Sequence, residues 1–381
     1  MLRTFKIKSP ASTANLGPGF DVLGAALSLY LTLEVTSPPP PSSHPNTITL
    51  IYPNHPSSET IPTVPEENLI TRSAFYLAAA HQVSLPPCLI KVHNDIPLGR
   101  GLGSSSAAVC AGLVLANTLC DLKLTPNQLL DYAVYIEGHP DNVACTLLGG
   151  FIASYIYGPP IDHIVESIGK MTFPLKNSSL SNSLSHHSHD IEKEKDSSYT
   201  NGIHPNSYSN SNLIPIPPKE GVACTVSLPW SESIQVIAII PNFELSTTLA
   251  RSVLPKSYSR HEVVFNLQRL AVLTASLALQ SPNPNILREA MQDKIHQPHR
   301  QHLVPGLSSI LALKPSDEGC QGLLGVCVSG AGPTVLCLVH REIHNVEGVG
   351  NTIVNIFKSN GVESKAVVLN VIDQGVIIES M

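Results

Sequence analysis

The stretch Pro97-Leu98-Gly99-Arg100-Gly101-Leu102-Gly103-Ser104-Ser105-Ser106-Ala107-Ala108 places three glycines and three serines directly before an apolar run. Without a Cβ, each glycine can adopt positive φ, so that several backbone N–H groups can point at one ligand. The serines stand where the N-cap and first turn of a helix are expected. Free N–H donors and the positive end of a helix dipole both favour an anion, so this stretch predicts a phosphate-binding loop.

Two common phosphate-binding motifs do not fit this loop. No Gly-Lys-Ser/Thr follows the glycines at the spacing of a Walker P-loop, and the Gly-x-Gly-x-Gly spacing differs from the dinucleotide-binding fingerprint. A serine hydroxyl beside a triphosphate can also ligate Mg²⁺, a hard cation that prefers oxygen. The sequence therefore predicts a nucleoside triphosphate with Mg²⁺ as the ligand.

The composition excludes several functional classes. The chain has 381 residues, of which 43% are hydrophobic, enough for two domains. A net charge of −6, with only 14% charged residues, argues against nucleic acid as a partner. There is no apolar run of membrane-spanning length and no secretory signal pattern. The eight cysteines form no Cys-x-x-Cys pair, which favours reduced thiols and a cytoplasmic location.

The segment before the loop is predicted to form strands, a turn and one helix. The predicted elements are strands over 5–14, 27–36, 47–52 and 88–94 and a helix over 69–83, with Asn68 as its N-cap. Gly17-Pro18-Gly19 forces a turn between Asn15 and Asp21. These two side chains either bind a polar substrate or merely cap the turn, and from this stretch alone capping is favoured.

The segment after the loop offers a second set of oxygen ligands. A helix is predicted over 125–137 because Thr125-Pro126 supplies an N-cap followed by proline at the first helical position. The chain continues as Glu137-Gly-His-Pro-Asp-Asn-Val143, which contains two carboxylates and an amide. One carboxylate could complete a Mg²⁺ site with a serine of the loop. An ordinary polar loop is the alternative.

The second half of the chain divides into a polar insertion and an ordered region. Residues 176–212 are rich in Ser, Asn and His and predict a disordered insertion, whose histidines more often occur by chance than as a metal site. Alternating strands and helices follow, which indicates an α+β arrangement. We therefore expect a first domain over 1–170, the insertion over 176–212 and a second domain over 213–381.

Two arginines and a last glycine turn are the candidate binding residues of the second half. Arg251 and Arg300 are isolated cations in weakly charged surroundings, and arginine is suited to bidentate carboxylate binding. Ser329-Gly330-Ala331-Gly332-Pro333 lies between two predicted strands and lets the backbone approach a ligand closely. We expect it to meet the same phosphates from the opposite side.

Taken in order along the chain, these motifs resemble those of the GHMP kinase superfamily. Pro97–Ala108 matches the superfamily's Pro-x-x-x-Gly-Leu-Gly-Ser-Ser-x-Ala loop, and Ser329–Pro333 matches its Ser-Gly-(Ala/Ser)-Gly-Pro motif. Within the superfamily, the stretch 10–21, His139-Pro-Asp-Asn142 and Arg300-x-x-Leu-Val-Pro-Gly306 resemble the homoserine kinases, in a fungal-like variant. The resemblance implies an α+β, two-domain GHMP kinase fold, with an N-terminal α/β domain that carries the loop and a C-terminal ferredoxin-like α+β domain.

The resemblance also implies roles for individual residues. It implies ATP-dependent phosphorylation of L-homoserine in threonine biosynthesis, with ATP phosphates in the loop, adenine beside Asn68, and Mg²⁺ on Ser105 and Glu137. The implied homoserine pocket consists of Asn15, Asp21, Asn142, Thr247, Arg251, Arg300 and Gly330. The segment between Glu137 and Asn142 is shorter than in many bacterial relatives, and Arg100 has no counterpart in most members. A homodimer is expected.

Two other functions stay open at this level. A GHMP kinase for a hydroxylated isoprenoid or sugar would have an apolar or polyol pocket and would not need two carboxylate-binding arginines. A silent relative would bind ATP and a metabolite without turnover, which the intact loop, Ser105 and Glu137 argue against.

Overall fold

The computed structural model describes residues 2–40, 47–53, 61–157, 221–342 and 346–381. Its first sheet is built on two long strands, β1 (Arg3–Asn15) and β2 (Gly19–Ser37). Beyond β1, the strand β2 pairs with β4 (Cys88–Asn94) and β5 (Phe151–Ile156). The remaining strands β3 (Ile48–Ile51), β6 (Ala223–Leu228) and β11 (Ile377–Ser380) pair with β4, β5 and β1.

Four helices accompany this sheet. They are α1 (Leu69–Ala80), α2 (Ser104–Leu119), α3 (Pro126–Glu137) and α4 (Asp141–Leu148). The side chain of Asn68 caps α1, and Thr125 forms a capping box with Gln128 at the start of α3, so both predicted starts are confirmed. Helix α1 ends earlier than predicted because Gln82 takes a positive φ. The sequence did not predict α4.

The second sheet is antiparallel and follows a strand, helix, strand, strand, helix, strand pattern. Its strands are β7 (Ile234–Pro241), β8 (Leu323–Val328), β9 (Val335–His340) and β10 (Ser364–Leu369), in the order β10-β7-β9-β8. The helices are α5 (Thr247–Ser252), α6 (Arg260–Leu277), α7 (Pro284–Ala290), α8 (Gln297–Arg300), α9 (Leu307–Leu311) and α10 (Val346–Ser359). This order is ferredoxin-like, as predicted.

Alternating side chains of β7 join the two halves of the molecule. Val236 and Ala238 belong to the core that surrounds the first sheet, whereas Ile237 and Ile239 belong to a second core, which contains Phe357 of α10. The predicted insertion over 176–212 and the predicted domain limits at 170 and 213 lie outside the described residues. Among the helices that the structure describes, none is long and apolar enough to cross a lipid bilayer.

Candidate active site

The phosphate loop lies between β4 and α2, as the sequence predicts. Gly99, Gly101 and Gly103 have φ values of 61°, 75° and 67°. Gly103 is the N-cap of α2 and, having no side chain, leaves the helix without a side-chain cap. The backbone N–H groups of the first turn are therefore available to an anion.

The loop is held by backbone contacts from β1 and from the last glycine turn. Ser12 N donates to the carbonyl of Leu102 at 3.1 Å, and the Ser329 hydroxyl donates to the carbonyl of Gly101 at 2.6 Å. A Cβ on Gly101 would overlap the carbonyl oxygen of Ser329. The close approach of these two turns therefore requires glycine at 101.

One cavity of about 180 Å³ brings most of the predicted residues together. Its lining includes the loop residues 99–101 and 103–106, Asn15, Glu137, Asn142, Thr247, Arg251, Arg300 and Gly330–Gly332, together with His139, Asp141 and Leu245. Asp21 is joined to this lining through Arg251. Of the other predicted loop residues, Leu102 and Ala107 are buried, and Pro97 and Leu98 are outside the lining.

At one end of the cavity, an aspartate and an arginine form a bidentate pair. The Nη1 and Nη2 atoms of Arg251 donate to the two carboxylate oxygens of Asp21 at 3.0 and 2.7 Å. Asn15 takes a positive φ of 72° and accepts a hydrogen bond from Asp21 N at 3.0 Å. The amide of Asn15 donates to the carbonyl of Gly330 at 2.7 Å. The turn Asn15–Asp21 is therefore tied to the last glycine turn.

Arg300 lies beside this pair and is 1% exposed. Its Nε donates to the carbonyl of Ala250 at 3.0 Å and its Nη1 donates to the carbonyl of Gly330 at 3.1 Å. Burial, together with the neighbouring Arg251, lowers the pKa of Arg300 to about 10, so the guanidinium is charged at neutral pH. Two cationic side chains thus face one end of the cavity.

Two oxygen ligands lie at the other end of the cavity. The hydroxyl of Ser105 donates to Oε1 of Glu137 at 2.5 Å, which places both side chains at the first turn of α2. Serine hydroxyl and carboxylate are hard oxygen donors, which suit Mg²⁺. These two residues could therefore hold a Mg²⁺ ion beside the loop.

A half-buried histidine and a buried aspartate lie close to Glu137 and Asp21. Asp141 was one of the two carboxylates that the sequence offered for Mg²⁺, whereas His139 had no assigned role. Nδ1 of His139 is 2.6 Å from Oδ1 of Asp141, and Nε2 is 4.0 Å from Oε2 of Glu137. Burial alone would lower the pKa of His139, but the Asp141 carboxylate outweighs it and raises this pKa to about 9. Burial would raise the pKa of Asp141, which the His139 cation instead holds below its ordinary value. The signal in the sequence was the spacing His139-Pro-Asp141.

Asn68 is not part of this cavity lining. Its Oδ1 accepts from Ile70 N at 3.0 Å, while its Nδ2 donates to the Tyr52 hydroxyl at 2.6 Å and the Pro62 carbonyl at 2.7 Å. The side chain is 2% exposed. Its observed role is to cap α1, and contact with adenine stays a prediction.

Comparison with known proteins shows the family to which the chain belongs. The model of the GHMP kinases N terminal domain matches residues 68–150, which include the phosphate loop and Glu137. The homoserine kinase of Candida albicans is 41% identical over 390 residues, covering 99% of this chain and 98% of that protein. The chain belongs to the homoserine kinase family. The homoserine kinase of Saccharomyces cerevisiae is also 41% identical, over 95% of both chains.

Solved structures of the same family share the fold. The crystal structure of homoserine kinase from Cytophaga hutchinsonii has a TM-score of 0.67 and 24% identity, covering 98% of this chain and 97% of that chain. The structure of a putative homoserine kinase from Listeria monocytogenes has a TM-score of 0.62 and 27% identity, covering 99% of this chain and all of that one. The predicted GHMP kinase fold is therefore confirmed.

Proposed function

We propose that this chain transfers the γ-phosphoryl group of ATP to the hydroxyl of L-homoserine, giving ADP and O-phospho-L-homoserine. The observation that carries the proposal is the bidentate pair of Asp21 and Arg251, whose arginine lines the same cavity as the phosphate loop. A free amino acid carries an ammonium and a carboxylate on one carbon. When such a molecule binds, the ion pair between Asp21 and Arg251 can be replaced by two: one between the ammonium and Asp21, and one between the carboxylate and Arg251.

In this proposal each end of the amino acid has its own partners. Asp21 and Asn15 accept hydrogen bonds from the ammonium, while Arg251 and Arg300 donate to the carboxylate. Thr247, Gly330 and Asn142 line the same cavity, and Asn142 would hold the substrate hydroxyl. Mevalonate has no ammonium and galactose has neither charge, so neither compound matches both Asp21 and the arginines.

At the other end, the loop residues 99–106 would bind the ATP phosphates through backbone N–H groups and the start of α2. Arg100 donates from Nε to the Pro241 carbonyl at 3.0 Å, which holds its side chain beside the loop. Ser105 and Glu137 would hold Mg²⁺, which neutralises charge on the β- and γ-phosphates. His139 would keep Glu137 in place through its charge.

Catalysis then depends on positioning and charge. The homoserine hydroxyl oxygen forms a bond to the γ-phosphorus as the bond from that phosphorus to the β,γ-bridging oxygen breaks, and the hydroxyl proton is released to water. No general base is assigned, because Asp141 is buried and paired with His139 and because Asp21 is reserved for the substrate ammonium.

The test is coupled ADP release with Mg-ATP against L-homoserine, L-serine, L-threonine, mevalonate and galactose. We expect turnover with homoserine well above the other compounds. Turnover with mevalonate or galactose in place of homoserine would show another GHMP kinase. ATP binding without any turnover would show a silent relative.

A homodimer also belongs to the proposal. Val264, Leu267 and Ala271 follow one another at helical spacing on α6, and Leu267 is 59% exposed. An apolar stripe on a helix supports association with a second copy. Light scattering after size-exclusion chromatography should give twice the mass of 40.8 kDa, and Leu267→Glu should reduce it to the monomer mass.

A further inference from the structure

The surroundings of Arg300 fix the chemical form of a neighbouring histidine. Nη1 of Arg300 lies 3.1 Å from Nδ1 of His296 and also donates to the carbonyl of Gly330. A guanidinium nitrogen can only donate, so Nδ1 of His296 must accept and carries no hydrogen. His296 and Arg300 are four residues apart, on one helical turn that ends α8.

The second ring nitrogen of His296 is fixed in the same way. Nε2 lies 2.8 Å from the carbonyl oxygen of Gly17, which can only accept, so Nε2 carries the hydrogen. The ring is fully buried and stacks on Phe20 with centroids 5.4 Å apart. Burial lowers the pKa of His296 despite the opposing charge of Asp293. His296 is therefore the neutral Nε2–H tautomer.

These bonds form a closed circuit around the amino-acid end of the cavity. It runs from the Gly17 carbonyl through His296 to Arg300, and from Arg300 through the Gly330 carbonyl to Asn15, two residues before Gly17. Asn15 in turn accepts from the backbone of Asp21. The arginine and the turn that carries Asn15 and Asp21 are thus joined through both ring nitrogens of His296.

The other charged neighbour of His296 has a backbone role. Asp293 lies 3.6 Å from Nε2 of His296, and its carboxylate accepts from the backbone N atoms of residues 295–297 and from Nδ2 of Asn266. These bonds place the start of α8, whereas His296 is the one of these two side chains that bonds directly to the Arg300 guanidinium. Structural support and substrate positioning therefore lie on different side chains and can be separated by substitution.

We propose that His296 is a positioning residue for the amino-acid substrate. It orients the guanidinium of Arg300 and fixes its position relative to the turn Asn15–Asp21. This inference rests on the proposed function, in which Arg300 binds the homoserine carboxylate. His296 itself does not touch the substrate in this proposal.

Two amide variants separate the two ring nitrogens. In His296→Asn, Oδ1 replaces Nδ1 as acceptor for Arg300, whereas in His296→Gln, the terminal amide replaces the Nε2–H donor to Gly17 and the acceptor for Arg300 is lost. We expect H296Q to raise the homoserine KM at least tenfold, with kcat and the ATP KM within threefold of the parent. H296N should keep the homoserine KM within threefold. His299→Asn, on the same turn, is the matched control and should change neither KM.

The outcomes distinguish the possibilities. The KM values for homoserine and ATP could instead change equally, in proportion to the loss of melting temperature in H296N and H296Q. That result would mean a structural role for His296 and would overturn the proposal. An unchanged homoserine KM in H296Q would overturn it as well. If H296Q does not fold, a tenfold rise in the homoserine KM of H296N at an unchanged melting temperature overturns it, and a retained KM supports it.

Two further measurements stand apart from these variants. Nitrogen chemical shifts of the parent protein should show an Nε2–H tautomer for His296, and an Nδ1–H or doubly protonated ring would contradict the proposal. A parent protein that does not phosphorylate homoserine would refute the proposed function. An active parent with an unchanged H296Q variant would refute only the role of His296.

Discussion

Gly101→Ala tests whether the phosphate loop depends on the close approach of the last glycine turn. Gly101 has a φ of +75°, and a Cβ there would overlap the carbonyl oxygens of Ser329 and Gly332. Positive φ costs a non-glycine residue about 1–2 kcal/mol. Forcing packed backbone apart adds about 1–3 kcal/mol. The variant should therefore lose about 2–5 kcal/mol of unfolding free energy.

A matched control separates the cost of the backbone overlap from the cost of the positive φ. Gly361 has a φ of +76°, and a Cβ there would meet no atom within 4 Å. Gly361→Ala should lose only the conformational part, about 1–2 kcal/mol, and should keep normal kinetics. In Gly101→Ala the displaced loop N–H groups should lower kcat/KM for ATP about 100-fold, as expected for a misplacement near 1 Å.

The assays are chemical denaturation and steady-state ADP release at saturating homoserine with ATP varied. The reasoning is refuted if the two alanine variants lose the same unfolding free energy and both keep the parent's kcat/KM for ATP.

Three further predictions follow from the same geometry. Ser105→Ala should lower kcat at least about tenfold and raise the Mg²⁺ concentration needed for half-maximal rate; normal activity at low Mg²⁺ would remove Ser105 as a ligand. Arg251→Lys should raise the homoserine KM about tenfold, or about 1.4 kcal/mol, because lysine loses the bidentate geometry, and an unchanged KM would place Arg251 outside the pocket. Asp293 is buried, which would raise its pKa, but hydrogen bonds from Asn266 and from the backbone N atoms of Ile295 and Gln297 hold that pKa below its ordinary value. Its stabilising contribution is thus present above about pH 4 and lost as the pH falls through the lowered pKa. Asp293→Asn should be about 3 kcal/mol less stable at pH 7, and should lose less further stability than the parent between pH 5 and 3; equal acid sensitivity in denaturation curves would contradict this.

Local features of the site could be predicted from the sequence. The positive φ values of Gly99, Gly101 and Gly103, the serines in the first turn of α2 and the cap of α1 by Asn68 were predicted and are confirmed. The expected serine N-cap of α2 was wrong, because Gly103 takes that position. Each confirmed feature depends on residues within one turn of the chain, so a single stretch contains the complete physical cause. The ferredoxin-like half was also predicted, although from the resemblance and not from residue spacing.

Pairings between distant segments needed the tertiary structure. Arg251 and Asp21 are 230 residues apart, and His296 and Gly17 are 279 residues apart. From the first stretch alone, Asn15 and Asp21 were better explained as caps of a turn, and His296 and His139 were polar residues without an assignment. Only the tertiary structure brings these groups within hydrogen-bond distance, and it also buries His296 and Arg300. The sequence by itself thus determined the phosphate loop and the fold family, whereas the network that presents Arg300 and Asp21 to an amino acid was decided by the tertiary structure. Burial makes the hydrogen bonds of Arg300 and His296 obligatory, and burial is a property of the folded chain.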